Sequence, residues 1–123
     1  MLIEIMTRKP ITKVPYPDRF ALLQKRLSDA EFAAIETRIN ELIDEAGSEI
    51  ATAGWLPGND WTGTPFDPIY HKAARRDHNL SAQLFGLFVW YTIMNRPETW
   101  ASGRYQKDGK DIRSRTYFRV DAG

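Results

Sequence analysis

Residues 80–95 read LSAQLFGLFVWYTIMN, and this segment decides the fold. Its apolar residues fall on nearly every side of a helix, which is typical of a helix buried at the centre of its domain. Asp77 or Asn79 is the predicted N-cap, and the helix should end near Asn95 because Pro97 follows. The segment is too short to span a bilayer, so no membrane association is expected.

A β-hairpin is predicted after this helix, where residues 98–120 read ETWASGRYQKDGKDIRSRTYFRV. Asp108-Gly109 separates two alternating runs, and glycine tolerates the positive φ of a type I′ turn. A two-residue turn at that point fixes which residues lie opposite each other. The predicted pairs are Arg104 with Arg113, Ser102 with Arg115, Trp100 with Tyr117, and Glu98 with Arg119.

The two faces of the hairpin are predicted to differ. The core side would carry Ala101, Tyr105, Ile112, Thr116, Phe118 and Val120. The arginine-aromatic face would carry Trp100, Arg104, Arg113, Arg115, Tyr117 and Arg119. Because like charges directly opposed destabilise a sheet, this face predicts an anion as its neighbour. Arginine forks bind phosphate and carboxylate groups, and aromatic rings stack on bases.

The charge distribution suggests where that anion could come from. Residues 28–49 carry seven acids and one base, a net charge of −6, whereas residues 101–119 carry six bases and two acids, a net charge of +4. One hypothesis is that the acidic segment neutralises the arginines, within the fold or across a homodimer. The other is that an anionic ligand or partner does so. Arg75, Arg76 and Arg8-Lys9 are expected to be plain surface charge.

A long loop is the second candidate site, because residues 54–66 read GWLPGNDWTGTPF. Structureless loops of this length are uncommon in compact domains and are often functional. Its pocket-lining candidates are Trp55, Asp60, Trp61 and Thr64. The alternative is that the two tryptophans fold inward and only cover the core. The chain has no Walker lysine and no G-x-G-x-x-G motif.

Asp67, His71 and His78 form the third candidate. On one continuous helix they would share a face, and Asp67 could orient His71 as a general base. Against this, the two histidines are seven residues apart, Asp67-Pro68 is typical of a helix N-cap, and a helix break is expected near Asp77. No metal and no cofactor is therefore expected.

The remaining chain completes an α+β domain spanning residues 1–123. Residues 2–6 are a predicted strand that joins the hairpin in a small antiparallel sheet. Ser28 and Glu31 form a capping-box pattern, and the helix after them carries an apolar stripe as far as Ile50, with Gly47 or Gly54 as its end. The chain contains no cysteine, which excludes disulfides and fits a cytoplasmic protein. Its start lacks the basic and apolar regions of a signal peptide.

Three functions from different classes follow. The leading hypothesis is a non-catalytic binding protein that uses the arginine-aromatic face, the tryptophan loop or both to bind an anionic partner or ligand. The second is a nucleic-acid-binding regulator that uses the basic ribbon. It is not favoured, because the whole chain has a net charge of only +1. The third is a small enzyme with a site at Asp67 and His71.

Overall fold

The computed structural model describes residues 1–4, 7–46, 49–51, 64–103, 106–107, 110–111 and 116–120. The helices in this part of the chain are α1 (Pro17–Arg26), α2 (Asp29–Ala46), α3 (His78–Met94) and a π-helical turn at Ile69–Ala73. The strands are β1 (Leu2–Glu4), β2 (Pro10–Ile11), β3 (Glu49–Ala51), β4 (Thr99–Gly103), β5 (Gln106–Lys107), β6 (Lys110–Asp111) and β7 (Thr116–Val120). The predicted α+β fold is confirmed.

The central position of α3 is also confirmed. Its fully buried side chains are Leu84, Phe88, Val89 and Ile93. The other helices and the π-helical turn pack around it. Phe32 of α2 lies 4.5 Å from the ring of Phe88, and Phe20 of α1 lies 5.0 Å from Tyr91. These rings bring three helices together in one core.

Side-chain caps define where two of the helices begin. Asp77 is the N-cap of α3, and its carboxylate accepts a hydrogen bond from the backbone N–H of Leu80 at 3.0 Å. The capping box before α2 is present: Glu31 N–H donates to Ser28 Oγ at 3.1 Å, and Ser28 N–H donates to Glu31 Oε1 at 2.9 Å. Both caps satisfy backbone donors that a helix cannot satisfy itself.

The end of α2 agrees with the first of its two predicted ends, Gly47, but the predicted apolar stripe wrongly includes Ile50. The helix ends at Ala46, and Ile50 belongs to β3 instead of the apolar stripe. β3 pairs antiparallel with β7, which gives its backbone a ladder of hydrogen bonds outside the helix. Glycine at position 47 also disfavours continuing a helix.

Five strands, from both halves of the chain, form one sheet in the order β2-β1-β4-β7-β3. β1 does join the C-terminal hairpin, but the pairing of β1 with β4 is parallel, so the prediction of a purely antiparallel sheet is wrong. Parallel neighbours need a long crossover connection. The helical part of the chain lies between β1 and β4 and supplies that connection.

The hairpin has two registers. Near the turn Lys107 lies opposite Lys110, which is the register predicted for a turn at Asp108-Gly109; the turn residues themselves lie outside the described residues. In the main sheet Trp100 lies opposite Arg119 and Ser102 opposite Tyr117, a shift of two from the predicted pairs. Two residues of the chain lie between β4 and β5, whereas four lie between β6 and β7, so a turn at Asp108-Gly109 does not determine the register of β4 with β7.

The predicted assignment of the two hairpin faces is wrong. A shift of two keeps each residue on its face, but Trp100 and Tyr117, each only 1% exposed, belong to the hydrophobic core. Leu2, opposite Trp100 in β1, is fully buried with them. Phe118 and Val120 are half-buried outside this core, although Ala101 is buried. The large aromatic area of Trp100 and Tyr117 explains which face the helices cover.

Candidate functional site

β5 and β6 form a two-stranded sheet that is separate from the main sheet. β5 and β6 pair with each other, and among the described strands neither has a second neighbour. We call residues 104–115 the basic ribbon. It carries Arg104, Lys107, Lys110, Arg113 and Arg115 against two acids, Asp108 and Asp111. Arg104, Arg113 and Arg115 lie outside the described residues, so their predicted pairing and orientation stay predictions.

Lys107 and Lys110 lie directly opposite each other in the ribbon ladder. Side chains at opposed positions of an antiparallel pair have Cβ atoms about 5 Å apart, and like charges there are destabilising. The expected opposition of basic residues is therefore present, but it is carried by lysines that the sequence prediction had not placed in the site. The Asp108-Gly109 turn signal was sufficient to find this pair.

Arg119 lies at the base of the hairpin, opposite Trp100. Its side chain is exposed. None of the ion pairs found among the described residues includes it. Trp100, which lies opposite Arg119, and Tyr117, two residues before it, are both buried. Their rings pack in the core and are not available to a ligand.

The acids of α2 pair elsewhere. Asp44 accepts a hydrogen bond from Arg96 at 2.6 Å, and Glu31 accepts one from Lys72 at 2.6 Å. Arg38 lies near two further acids of the same helix, 3.4 Å from Glu41 and 3.8 Å from Glu45. Among the described residues, the hypothesis that α2 neutralises hairpin arginines finds no support.

Arg96 is a charged centre that the sequence prediction missed. Its guanidinium donates to Asn40 Oδ1 at 2.7 Å and to Asp44 Oδ1 at 2.6 Å, and its Nε donates to Glu98. Glu98 also accepts from the indole Nε1 of Trp100 at 3.2 Å. The predicted pairing of Glu98 with Arg119 is wrong, because Arg119 lies opposite Trp100. The sequence gives only a weak signal of this cluster, because it shows no more than an arginine and a glutamate on either side of Pro97.

Burial alone would raise the pKa of Glu98, but hydrogen bonds from Arg96, from its own backbone and from Trp100 outweigh it and lower the pKa to about 2. The carboxylate is thus firmly ionised at neutral pH. Together Arg96 and Glu98 connect α2 to the start of β4, and their side chains are only 17% and 19% exposed. These charges pair with one another, so the cluster is assigned a role in stabilising the fold.

Asp67 and His71 do lie together, at the π-helical turn. Nδ1 of His71 is 2.9 Å from Oδ1 of Asp67, an ion-pair distance, but the angle is not that of a hydrogen bond, and this buried oxygen has no described hydrogen-bond donor. The side chain of His71 is 40% exposed. The arrangement leaves the outer part of the imidazole open to solvent next to a carboxylate.

Thr64 takes the capping role that was predicted for Asp67. Its backbone oxygen accepts from Asp67 N–H at 3.2 Å, and its Oγ1 accepts from Phe66 N–H at 3.3 Å. Asp67 already lies inside the helical run, so the prediction of an Asp67 N-cap is wrong. Trp55, Asp60 and Trp61 lie outside the described residues, and the choice between a pocket loop and a core lid stays open.

His78 belongs to a different element from His71. It starts α3, after a turn that interrupts the helix at residues 74–77, as the predicted break near Asp77 implies. Among the described residues, no group of three or more histidines and carboxylates is arranged to hold a metal ion. None of the described helices combines the length and apolar character needed to cross a membrane.

Comparison with known proteins gives no relative: no family model, no curated protein and no solved structure matches the chain.

Proposed function

We propose that this protein is a non-catalytic binding protein that uses the basic ribbon, with Arg119 at its base, to bind an anionic partner. One observation carries the proposal: β5 and β6 pair only with each other among the described strands and set Lys107 opposite Lys110. The ribbon therefore combines separate pairing with an unfavourable concentration of positive charge.

Energetic considerations support this assignment. An isolated two-stranded ribbon is marginal in water, and opposed like charges weaken it by up to about 1 kcal/mol. A bound anion would offset that repulsion. The residues 104–115 place five bases within twelve positions, which concentrates the positive potential that steers an anionic partner.

The buried aromatics change the expected mode of binding. Trp100 and Tyr117 are core residues, so among the described part of the hairpin they cannot stack on a ligand without unfolding its base. Binding through charge alone should be strongly salt-dependent. The same burial anchors β4 and β7, at the base of the hairpin, in the hydrophobic core.

The test is fluorescence anisotropy with labelled polyanions: single-stranded DNA, double-stranded DNA, RNA and polyglutamate, at low and at physiological salt. We expect binding that weakens steeply with salt and that the double substitution Lys107→Ala and Lys110→Ala weakens further. Lys13→Ala with Lys25→Ala is the matched control, because both lysines are exposed and outside the hairpin.

Each result of this experiment has one interpretation. Preference for a nucleic acid over polyglutamate would favour the nucleic-acid-binding regulator, and preference for polyglutamate would favour an acidic protein partner. An equal loss of polyanion affinity in the ribbon variant and in the control variant would show that binding depends only on the total charge of the protein. No binding to any of the four polyanions at low salt would refute the proposal.

A second candidate function, a small enzyme, is supported by the 2.9 Å separation between His71 and Asp67. In this hypothesis Asp67 orients His71 as a general base, through a hydrogen bond that forms when substrate binds, as catalytic hydrogen bonds often tighten only then. π-helical turns within helices are frequent at functional sites. The reactivity of His71 tests this candidate, as set out in the Discussion.

A further inference from the structure

The turn between the π-helical turn and α3 has an unusual backbone. Arg75 has a φ of 50° and Arg76 has a φ of 68°. This left-handed region is disfavoured for side chains with a Cβ, and where it occurs it is visited mostly by single glycine, asparagine or aspartate residues. Two consecutive arginines in it therefore represent local strain, and strain of this kind is concentrated at functional sites.

Backbone hydrogen bonds hold the turn in place. Ala74 N–H donates to Ile69 O at 2.8 Å, Arg76 N–H donates to Tyr70 O at 2.7 Å, and Asp77 N–H donates to Ala74 O at 3.0 Å. Glycine could make the same bonds at positions 75 and 76 without strain. The turn itself therefore does not require arginine side chains.

The two guanidinium groups have no internal counter-charge in the part of the chain that the structure describes. Both residues are exposed, and no ion pair or hydrogen bond of either side chain is present there. The adjacent carboxylate, Asp77, is used as the cap of α3. A third guanidinium lies at the same end of the π-helical turn, because Arg26 donates to Ala73 O at 2.7 Å.

We propose that Arg75 and Arg76, which we call the arginine corner, bind a phosphate-type oxyanion. Two adjacent guanidinium forks match the oxygens of a phosphate group through paired N–H donors. The half-buried Arg26 adds positive charge at this end of the turn. The site uses residues outside the basic ribbon and does not depend on the ribbon's function.

The test follows the Nε–H and backbone amide NMR signals of Arg75 and Arg76 during titration with inorganic phosphate, against chloride at constant ionic strength. We expect saturable shifts with phosphate only. Arg75→Lys with Arg76→Lys keeps the charge but removes the forks, and should weaken binding roughly tenfold or more. Phosphoserine and adenosine monophosphate as further titrants distinguish a phosphorylated protein from a nucleotide as the source of the phosphate group.

Glycine substitution separates binding from folding. Arg75→Gly with Arg76→Gly should abolish the phosphate response and raise the melting temperature by about 4 °C, because strain is removed. Arg8→Gly is the matched control: Arg8 is exposed, has a φ of 58° and lies outside the corner, so it should raise the melting temperature and leave phosphate binding intact.

Three results would overturn the proposal. The first is an equal response of wild type to phosphate and chloride. The second is a phosphate response that persists in the double glycine variant. The third is a lower melting temperature of that variant, which would show that the arginines stabilise the end of the π-helical turn instead.

Discussion

The carboxylate of Glu98 accepts a hydrogen bond from the indole nitrogen of Trp100 at 3.2 Å while it pairs with Arg96. A core aromatic at the base of the hairpin is thereby connected to the charged cluster that joins β4 to α2. Since Trp100 is only 1% exposed, its indole N–H needs this partner to be satisfied. Glu98 therefore links the packing of the sheet to the position of α2.

Replacement of Glu98 by glutamine should reveal this link through its pH dependence. The folded-state pKa of Glu98 is lowered to about 2, so its contribution is fully present above its ordinary value of 4.5 and is lost as the pH falls toward 2. We expect Glu98→Gln to lower the free energy of unfolding by about 2 kcal/mol at pH 7, allowing for solvent screening. Urea denaturation should show wild type and variant converging as the pH falls through that interval.

The control for this experiment is Glu45→Gln, which removes the same charge from a side chain that is 67% exposed. It should change the stability by less than about 0.5 kcal/mol at any pH. A constant difference between wild type and Glu98→Gln from pH 7 to pH 2 would contradict the role assigned to the ionised carboxylate.

Phe88→Ala should be among the most destabilising substitutions in α3. Phe88 is fully buried against Phe32, and truncation would leave a cavity in a packed core. The expected loss is about 3–5 kcal/mol in chemical denaturation. A loss below about 1 kcal/mol would show that the helix centre is not packed as described.

Gly86→Ala, two positions before Phe88 in α3, should stabilise the protein. A Cβ atom built at Gly86 would meet no atom of the described residues within 4 Å, so alanine fits there without a clash. Glycine inside a helix is less stable than alanine by roughly 0.5–1 kcal/mol, so the substitution should raise the free energy of unfolding by that amount. A lower melting temperature for Gly86→Ala would show that this surface of α3 is covered.

Lys110→Glu should strengthen the basic ribbon and weaken its binding at the same time. The substitution converts the opposed pair Lys107 and Lys110 into opposite charges, a gain of about 0.2–1 kcal/mol. Hydrogen exchange at the amides that donate between β5 and β6 should slow, while anisotropy should report lower affinity for a polyanion. Slower exchange with unchanged affinity would remove the ribbon from the binding site.

Asp67→Asn should reduce the reactivity of His71 toward diethyl pyrocarbonate. The second candidate function assigns to Asp67, 2.9 Å from Nδ1, the orientation of the imidazole, so its loss should slow modification at Nε2 severalfold. Mass spectrometry of the digest measures the rate, with His78 as the internal reference and Asp18→Asn as the control variant. An unchanged rate at His71 would exclude activation by Asp67.

The parts of this fold that the sequence predicts are local ones. The buried helix α3, the Asp77 cap and the Ser28–Glu31 capping box depend on residues within one or two turns of one another. The register of β4 with β7 does not depend on nearby residues alone. The chain between β4 and β5 is shorter than the chain between β6 and β7, so the pairing near the turn does not carry over to the main sheet. The turn signal at Asp108-Gly109 therefore fixed only the pairing next to it.

The errors at the candidate site have related physical causes. Alternation placed Trp100, Tyr117 and Arg119 on one face, but it could not indicate that the helices cover the aromatic part of that face. The strain at Arg75 and Arg76 comes from their positive φ angles, and two arginines in a sequence do not predict such angles. Arg96 was missed because its partners, Asn40 and Asp44, are more than fifty residues away.

The parallel pairing of β1 with β4 has a consequence for the order of folding. Leu2 lies opposite Trp100, so the central ladder of the sheet joins segments almost a hundred residues apart. Contacts of such long sequence separation form slowly, because the entropy of closing the intervening chain must be lost first. During synthesis the helices can form as they leave the ribosome, and β1 can already pair with β2. The other edge of β1, which pairs with β4, stays unpaired and prone to aggregation until residues 99–120 have emerged.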